Sequence, residues 1–290
     1  MNRRRFLTLS AAFACAPHIA IADVWRGQAL GADVSVSLQG PKEAVQAALA
    51  DIPAWLEDVE THFSLYRPDS RLSRLNRTGR LVAPGLFRGL LDQADRAHRL
   101  TNGLFDPTVQ PLWDALAQGR DPEPARTLIG WDRVRHGFSG EIHLGPGQEL
   151  TFNGIAQGYA TDLIRGALRK RGFTQALVNI GEFAALGGPY RLGVSDPVFG
   201  LQGHVTLTES AVATSSPGAL RLGDQGHILG PHGERPLWST VTIEATEAAV
   251  ADALSTAAVF MPLPRLRQLK SDARLRRLIV IDTEGNLRTI

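Results

Sequence analysis

The sequence is almost without cysteine: its one thiol, Cys15, lies near the start, and residues 23–290 contain none. That stretch can form no disulfide, supply no thiol nucleophile and build no cysteine-ligated metal centre. Ala12-Phe13-Ala14 ahead of Cys15 is not the aliphatic-then-small pattern of a lipoprotein signal, so lipidation is not expected. An excess of one charge is lacking too, with 31 Lys and Arg against 29 Asp and Glu, a formal net charge of +2. Residues 1–22 hold three arginines and no acid, which leaves 28 basic against 29 acidic residues, a net of −1, in the remainder. That balance gives no ground for a nucleic-acid partner. Repeats, low-complexity tracts and a clear linker are missing as well. With 43% hydrophobic residues, a chain of 290 can bury a full core as one large domain or two intimate lobes.

What stands at the N-terminus is a leader. Arg3-Arg4-Arg5-Phe6-Leu7 fits the twin-arginine pattern R-R-x-F-L, and Ala20-Ile21-Ala22 supplies a small-residue cleavage site. The apolar run between them, Phe6 to Ala16, is too short to span a bilayer comfortably. Residues 1–22 are therefore expected to be a twin-arginine signal peptide, and residues 23–290 a periplasmic mature protein.

The centre of the chain is the stretch from Leu150 to Gly188. Leu150 and Phe152 predict a short apolar strand running into Gly154; Ile155, Tyr159, Leu163, Ala167 and Leu168 recur at helical spacing up to Gly172; Ala176 to Ile180 predicts a second buried strand. A helix that begins at a glycine turn offers unpaired N–H groups and a positive dipole end to an anion, or it is a plain turn of a packed layer. The spacing is neither a nucleotide P-loop nor a Rossmann fingerprint.

Elsewhere, Leu30 to Leu38 alternates as a strand, and Pro41 opens a helix with Val45, Ala48, Ile52, Leu56 and Val59 inward. A second helix from about Pro84 ends at Asn102-Gly103. Asp106 before Pro107 is held extended, so its carboxylate either aims at a ligand or caps the helix that begins near Thr108. Short hairpin strands are expected around Ile142 and Leu144, antiparallel strands at 190–194 and 205–207, and a closing hairpin at 278–290. Asp252 and Thr256, four apart on a helix, share a face: a solvated pair, or two oxygen ligands suited to a hard cation.

Asn153-Gly-Ile-Ala-Gln-Gly-Tyr-Ala-Thr-Asp162 resembles the GIAKGYAVD segment of the ApbE family, the FAD:protein FMN transferases. Further matches follow in order. They are the 63–76 stretch (FSxYxxxSxLSxLN), the 101–112 stretch (TxGxFDPTVxPL), Leu177 to Gly181 (LVNLGG), 211–216 (SVATSG), 226–233 (HHILDPxTG) and 251–258 (ADALATAL). The 226–233 match is partial, because Gly230 replaces the aspartate, which leaves open how that turn is held.

The resemblance implies an α+β, ApbE-like fold of mixed, largely antiparallel sheets packed with helices, over nearly all of residues 23–290. It also implies a reaction: FMN moves from FAD to a threonine or serine of an acceptor flavoprotein, membrane-bound or periplasmic, and AMP leaves. On the same resemblance Mg²⁺ would be held by Asp252, Thr256 and the backbone carbonyl of Ala156. His227 would be the base, though its own surroundings equally suit a hydrogen-bonded turn histidine. Tyr66, Asn76, Thr101, Phe105, Asp106, Asp162 and Thr214 would line the FAD site. Two rivals use the same residues: a flavin-binding assembly factor with little catalysis, and a pyrophosphatase splitting FAD into FMN and AMP. The leader is similar to that of the branch serving the flavoprotein partner of nitrous-oxide reductase.

Overall fold

The computed structural model describes residues 23–137 and 140–290. The twin-arginine leader lies outside the described residues. β1 (Asp23–Ala29) and β2 (Ala32–Gln39) form a hairpin whose two turn residues, Leu30 (φ 50°) and Gly31 (φ 78°), both take positive φ, the twist-matched form of a two-residue turn. The helix expected from Pro41 to Val59 divides into α1 (Lys42–Ala50) and α2 (Ile52–Phe63). Pro53, in the first turn of α2, has no N–H with which to continue α1. α3 (Arg71–Thr78) is capped by Ser70, whose Oγ accepts from Ser73 N at 3.0 Å. α4 (Gly85–Leu100) stops at Asn102 (φ 53°) and Gly103 (φ 86°), as its sequence predicts.

The next part holds β3 (Arg80–Val82), α5 (Gln110–Ala117), α6 (Glu123–Arg126), β4 (Arg135–His136) and β5 (Glu141–His143). The short hairpin expected around Ile142 forms as β4 and β5, and β3 adds to the other edge of β5 to make a three-stranded sheet; Leu144 lies just beyond β5. Leu150 and Phe152, expected as a strand, are not one. Asn76 replaces the ladder there: its Nδ2 donates to Leu150 O at 2.9 Å and its Oδ1 accepts from Leu150 N at 2.8 Å.

α7 (Ala156–Lys170), β6 (Gln175–Asn179), β7 (Phe183–Leu186), β8 (Tyr190–Asp196), β9 (Gly200–Leu207) and β10 (Ala211–Ser215) follow. A small hairpin, β11 (Arg221–Leu222) and β12 (Gln225–Gly226), precedes β13 (Thr240–Ala245), α8 (Ala248–Ala258), α9 (Leu263–Asp272), β14 (Arg277–Ile281) and β15 (Leu287–Thr289). Eight strands make one sheet in the order β1-β2-β6-β7-β10-β13-β14-β15, every neighbouring pair antiparallel. Alternation sorts its side chains by face. Val36, Val178, Ala213, Ile243 and Val280 join the helices in the main core, while Leu177, Ala185, Val212 and Ile279 pack beneath the β8–β9 hairpin. Covered on both sides, the central strands β10 and β13 are buried almost throughout. Leu81, Trp131 and Ile142 of the smaller sheet region belong to the same continuous core, so the α+β molecule is organised around one interior.

Candidate active site

The site is built where α7 and α8 cross. Gly158 is required there: a Cβ on it would stand 2.4 Å from Ala248 O and 2.8 Å from Asp252 Cβ. Gly154 likewise faces Thr256, whose Oγ1 would lie 2.9 Å from a Cβ at 154, with Phe105 Cε2 at 3.4 Å. The two glycines admit a neighbouring helix and side chains. The close approach lets Asp252 Oδ2 accept from Gly158 N at 3.0 Å, so a first-turn N–H of α7 already meets a carboxyl oxygen. Thr256, one turn beyond Asp252, has its Oγ1 3.4 Å from Ser215 Oγ, which also meets Ser255 Oγ at 2.7 Å.

Asp252 is almost completely buried, and burial raises its pKa to about 7; the Gly158 N–H opposes that shift and the Asp162 charge adds to it. Nearby Glu182, immediately before β7, is pushed well above the usual carboxylate range by burial and by Asp252. Its Oε2 accepts from Thr214 N at 3.2 Å, and it lines a narrow cleft under the β8–β9 hairpin with Thr214, Thr242 and Leu192. Among the described residues, no cationic side chain acts on either carboxylate. Two buried carboxylates beside a threonine hydroxyl, without a counter-charge, are a donor set that fits a hard cation. Glu182 stands at the last glycine of the LVNLGG pattern; the available signal is that departure, an acid inside the apolar run Ile180-Gly181-Glu182-Phe183-Ala184-Ala185.

Other residues singled out from sequence hold the frame. Asp162 reaches from α7 to the N-terminus of α8, where Oδ2 accepts from Ala249 N at 2.9 Å and Oδ1 pairs with Arg165 at 2.8 Å. Since Glu247 gives α8 no side-chain cap, Asp162 is its cap from another helix. Thr101 is fully buried; its Oγ1 donates to Ala97 O at 2.8 Å and accepts from Phe105 N at 3.0 Å. Asp106 Oδ1 accepts from Thr108 N at 2.8 Å and from Thr108 Oγ1 at 2.5 Å, and Oδ2 accepts from Trp131 N at 3.2 Å. Of the two roles open to Asp106, the cap is thus filled. Pro107 O accepts from Thr151 N at 2.8 Å and Phe105 abuts Gly154, so the 101–108 turn and the start of α7 meet. Thr214 Oγ1 pairs with Thr242 Oγ1 at 2.9 Å. Tyr66 is 75% exposed, with its ring free for an incoming molecule.

His227 follows β12. Its backbone N donates to Leu220 O at 3.0 Å and its ring Nδ1 lies 3.3 Å from the same oxygen. That contact requires the proton on Nδ1, which leaves Nε2 as the basic nitrogen. Burial pushes its pKa below the ordinary histidine value, opposed by the carbonyls of Leu220 and Pro217. Leu220 and Pro217 belong to the chain directly after β10, and β10 is joined to α8 through Ser215.

The ApbE family model matches residues 30–279. The chain belongs to the ApbE family. It is 25% identical over 270 residues to a Vibrio cholerae FAD:protein FMN transferase, covering 82% of this chain and 80% of that one. It is 31% identical over 252 residues to a Klebsiella pneumoniae protein of the same name, covering 78% of each. Among solved structures, the ApbE protein of Thermotoga maritima superposes with a TM-score of 0.82 at 24% identity, over 92% of this chain and 96% of that one. Apo flavinyl transferase ApbE of Pseudomonas stutzeri gives 0.80 at 23% identity, over 93% and 95%. These two likenesses establish the shared fold.

Proposed function

We propose that this ApbE-family chain is a Mg²⁺-dependent FAD:protein FMN transferase that moves FMN from FAD to a threonine or serine of an acceptor flavoprotein, releasing AMP. The observation that carries the reading is the Asp252–Thr256 pair, aimed at the start of α7 beside a second buried carboxylate with no counter-charge. Asp252, Thr256 and the Ala156 carbonyl would hold Mg²⁺. When bound, it neutralises charge on the phosphate oxygens as a Lewis acid. Tyr66, exposed, Phe105, beside Gly154, and Thr214, in the cleft with Glu182, would line the FAD site directly. Asn76, Thr101, Asp106 and Asp162 have their polar atoms committed to backbone groups and, for the two acids, also to Thr108 and Arg165, so they act by fixing the walls.

In the transfer, the acceptor hydroxyl oxygen bonds to the phosphorus of the FMN half, and the bond from that phosphorus to the bridging oxygen breaks. AMP leaves with that oxygen. His227 Nε2 takes the hydroxyl proton, since its Nδ1 is turned to Leu220. Arg3-Arg4 and Ala20-Ile21-Ala22 support export by the twin-arginine route and a periplasmic acceptor. Incubation with FAD, Mg²⁺ and acceptor protein tests the reading: covalent flavin on the acceptor is expected. Free FMN and AMP alone mean a pyrophosphatase, and retained FAD an assembly factor; either overturns it.

A further inference from the structure

The turn after His227 lacks the aspartate that the family motif places at 230, and its structure contains a substitute. An aspartate followed by proline accepts from the N–H two residues on, which here is the N–H of His232. In this chain that N–H donates to Glu234 Oε2 at 2.9 Å. The same Oε2 would lie 2.6 Å from a Cβ on Gly230, with Glu234 O at 2.6 Å and Glu234 N at 2.7 Å. The Glu234 carboxylate therefore fills the space of a residue-230 side chain and takes over its bond. Glycine at 230 and glutamate at 234 are one arrangement, because a side chain at 230 and this path of Glu234 exclude each other.

The turn links two parts of the site. His232 Nε2 lies 3.7 Å from the Cβ position of Gly103, in the 101–108 turn. Leu229 packs on Leu112 and Ala115 of α5 and on Ala125 of α6. Gly233 N donates to Gly230 O at 3.1 Å, closing the turn from within. His227, three residues ahead of Gly230, is fixed on its other side by Leu220. Without an acceptor for the His232 N–H, the downstream side of His227 is held by Ile228 on the main core, by Leu229 and by the Gly233 bond.

We propose that Glu234 is the positioning residue for His227: its carboxylate closes the 230–234 turn in place of the missing aspartate. The proposal rests on the reading of His227 as the base, and three measurements on the full mature chain keep the two separable. The first is hydrogen exchange of the His232 amide by NMR, which needs no activity. Glu234→Ala should speed it roughly five- to tenfold, the loss of one such bond, and Glu234→Gln, which keeps an acceptor, should hold it near wild type. The second is FAD affinity by flavin fluorescence, expected to stay within about twofold in both variants, as the bond lies in the turn and touches no FAD-lining side chain. The third is transfer to the acceptor on which the wild type is active: Glu234→Ala should lower kcat roughly tenfold or more with KM for FAD unchanged, and Glu234→Gln should restore it. Unchanged exchange at His232 in Glu234→Ala overturns the bond. Altered exchange with full transfer, or an impaired Glu234→Gln, overturns the positioning role. If His227→Ala retains full transfer while the His232 exchange responds as expected, the base assignment fails and with it the positioning role, while the turn bond stands.

Discussion

At the scale of single residues, Asp252 concentrates the cost and the purpose of the site. Its carboxyl is raised by burial to about 7, so the folded metal-free protein holds a proton that the unfolded chain has lost above the ordinary carboxylate range. The native state binds more protons than the unfolded state in that window, so this group's contribution to stability falls as pH rises from about 4 to about 7. Glu182, Asp162 and the Asp162 partner Arg165 are the charged groups around it, and the two acids act in the same direction. Asp252→Asn should therefore raise the metal-free melting temperature at pH 8 by several degrees, with a smaller gain at pH 5, while removing the stabilisation by Mg²⁺. Thermal scans at both pH values, with and without metal, check this. A lower melting temperature of the variant at pH 8 would count against it.

His227 makes the opposite demand. Its pKa is lowered by burial, so the neutral base persists below the pH at which an ordinary histidine protonates. The acid limb of transfer should have its midpoint below about 6.5. His227→Ala should lower transfer by roughly two to four orders of magnitude with FAD affinity nearly intact. A pH–rate profile and a fluorescence titration test these together, and an acid limb above 7 would contradict the buried-base assignment.

At the scale of elements, the α7–α8 crossing sets the geometry. Gly158→Ala puts a methyl group 2.4 Å from Ala248 O, a backbone atom that cannot step aside, so the helices must part. A loss of about 1–3 kcal/mol in urea unfolding is expected, together with weaker Mg²⁺ binding as Asp252 leaves the Gly158 N–H. Asp162→Ala removes the cap of α8 and leaves Arg165 without its carboxylate, for a loss of about 1–2 kcal/mol or more. Both are read from unfolding midpoints; unchanged midpoints in either variant would mean that the crossing is not a stability element.

Elements were legible in sequence where local chemistry decides them. α4 and α7 carry their own stops, and β6, β8 with β9, and β14 with β15 show alternation or apolar runs bounded by turns. Non-local pairings were not legible. The pairing of β5 with β3 and the Asn76 clamp on Leu150 join segments about 60 to 75 residues apart, and no periodicity encodes them. Gly154 and Gly158 were seen as places without a side chain, yet sequence cannot say what comes close. Asp162 and Asp106 looked like ligand-facing carboxylates because their motif says only that they matter; the backbone N–H groups they cap appear once the chain is folded.

At the scale of the molecule, one core carries both the eight-stranded sheet and the smaller sheet, which keeps the 101–108 turn, the start of α7 and the His227 turn in one rigid frame. Residues 1–22 stand apart from that frame in sequence character, and cleavage should leave a chain beginning near Asp23. N-terminal sequencing of periplasmic material checks this; a sequence starting at Met1 contradicts it. Most of the site was present as motifs in order along the chain, whereas Glu182 and Glu234 stand where the LVNLGG and HHILDPxTG patterns end in glycine, and they acquire meaning from what they approach.

The central claim is that a cation held by Asp252 and Thr256 makes this chain a flavin transferase. Its most direct measurement is in-gel flavin fluorescence of an acceptor protein after incubation with FAD and Mg²⁺, comparing wild type with Asp252→Ala and with wild type in excess chelator. Covalent flavin is expected with wild type and Mg²⁺ alone, and abolished in the other two, with excess Mg²⁺ recovering little in Asp252→Ala. Full labelling by Asp252→Ala with metal chelated would contradict the account.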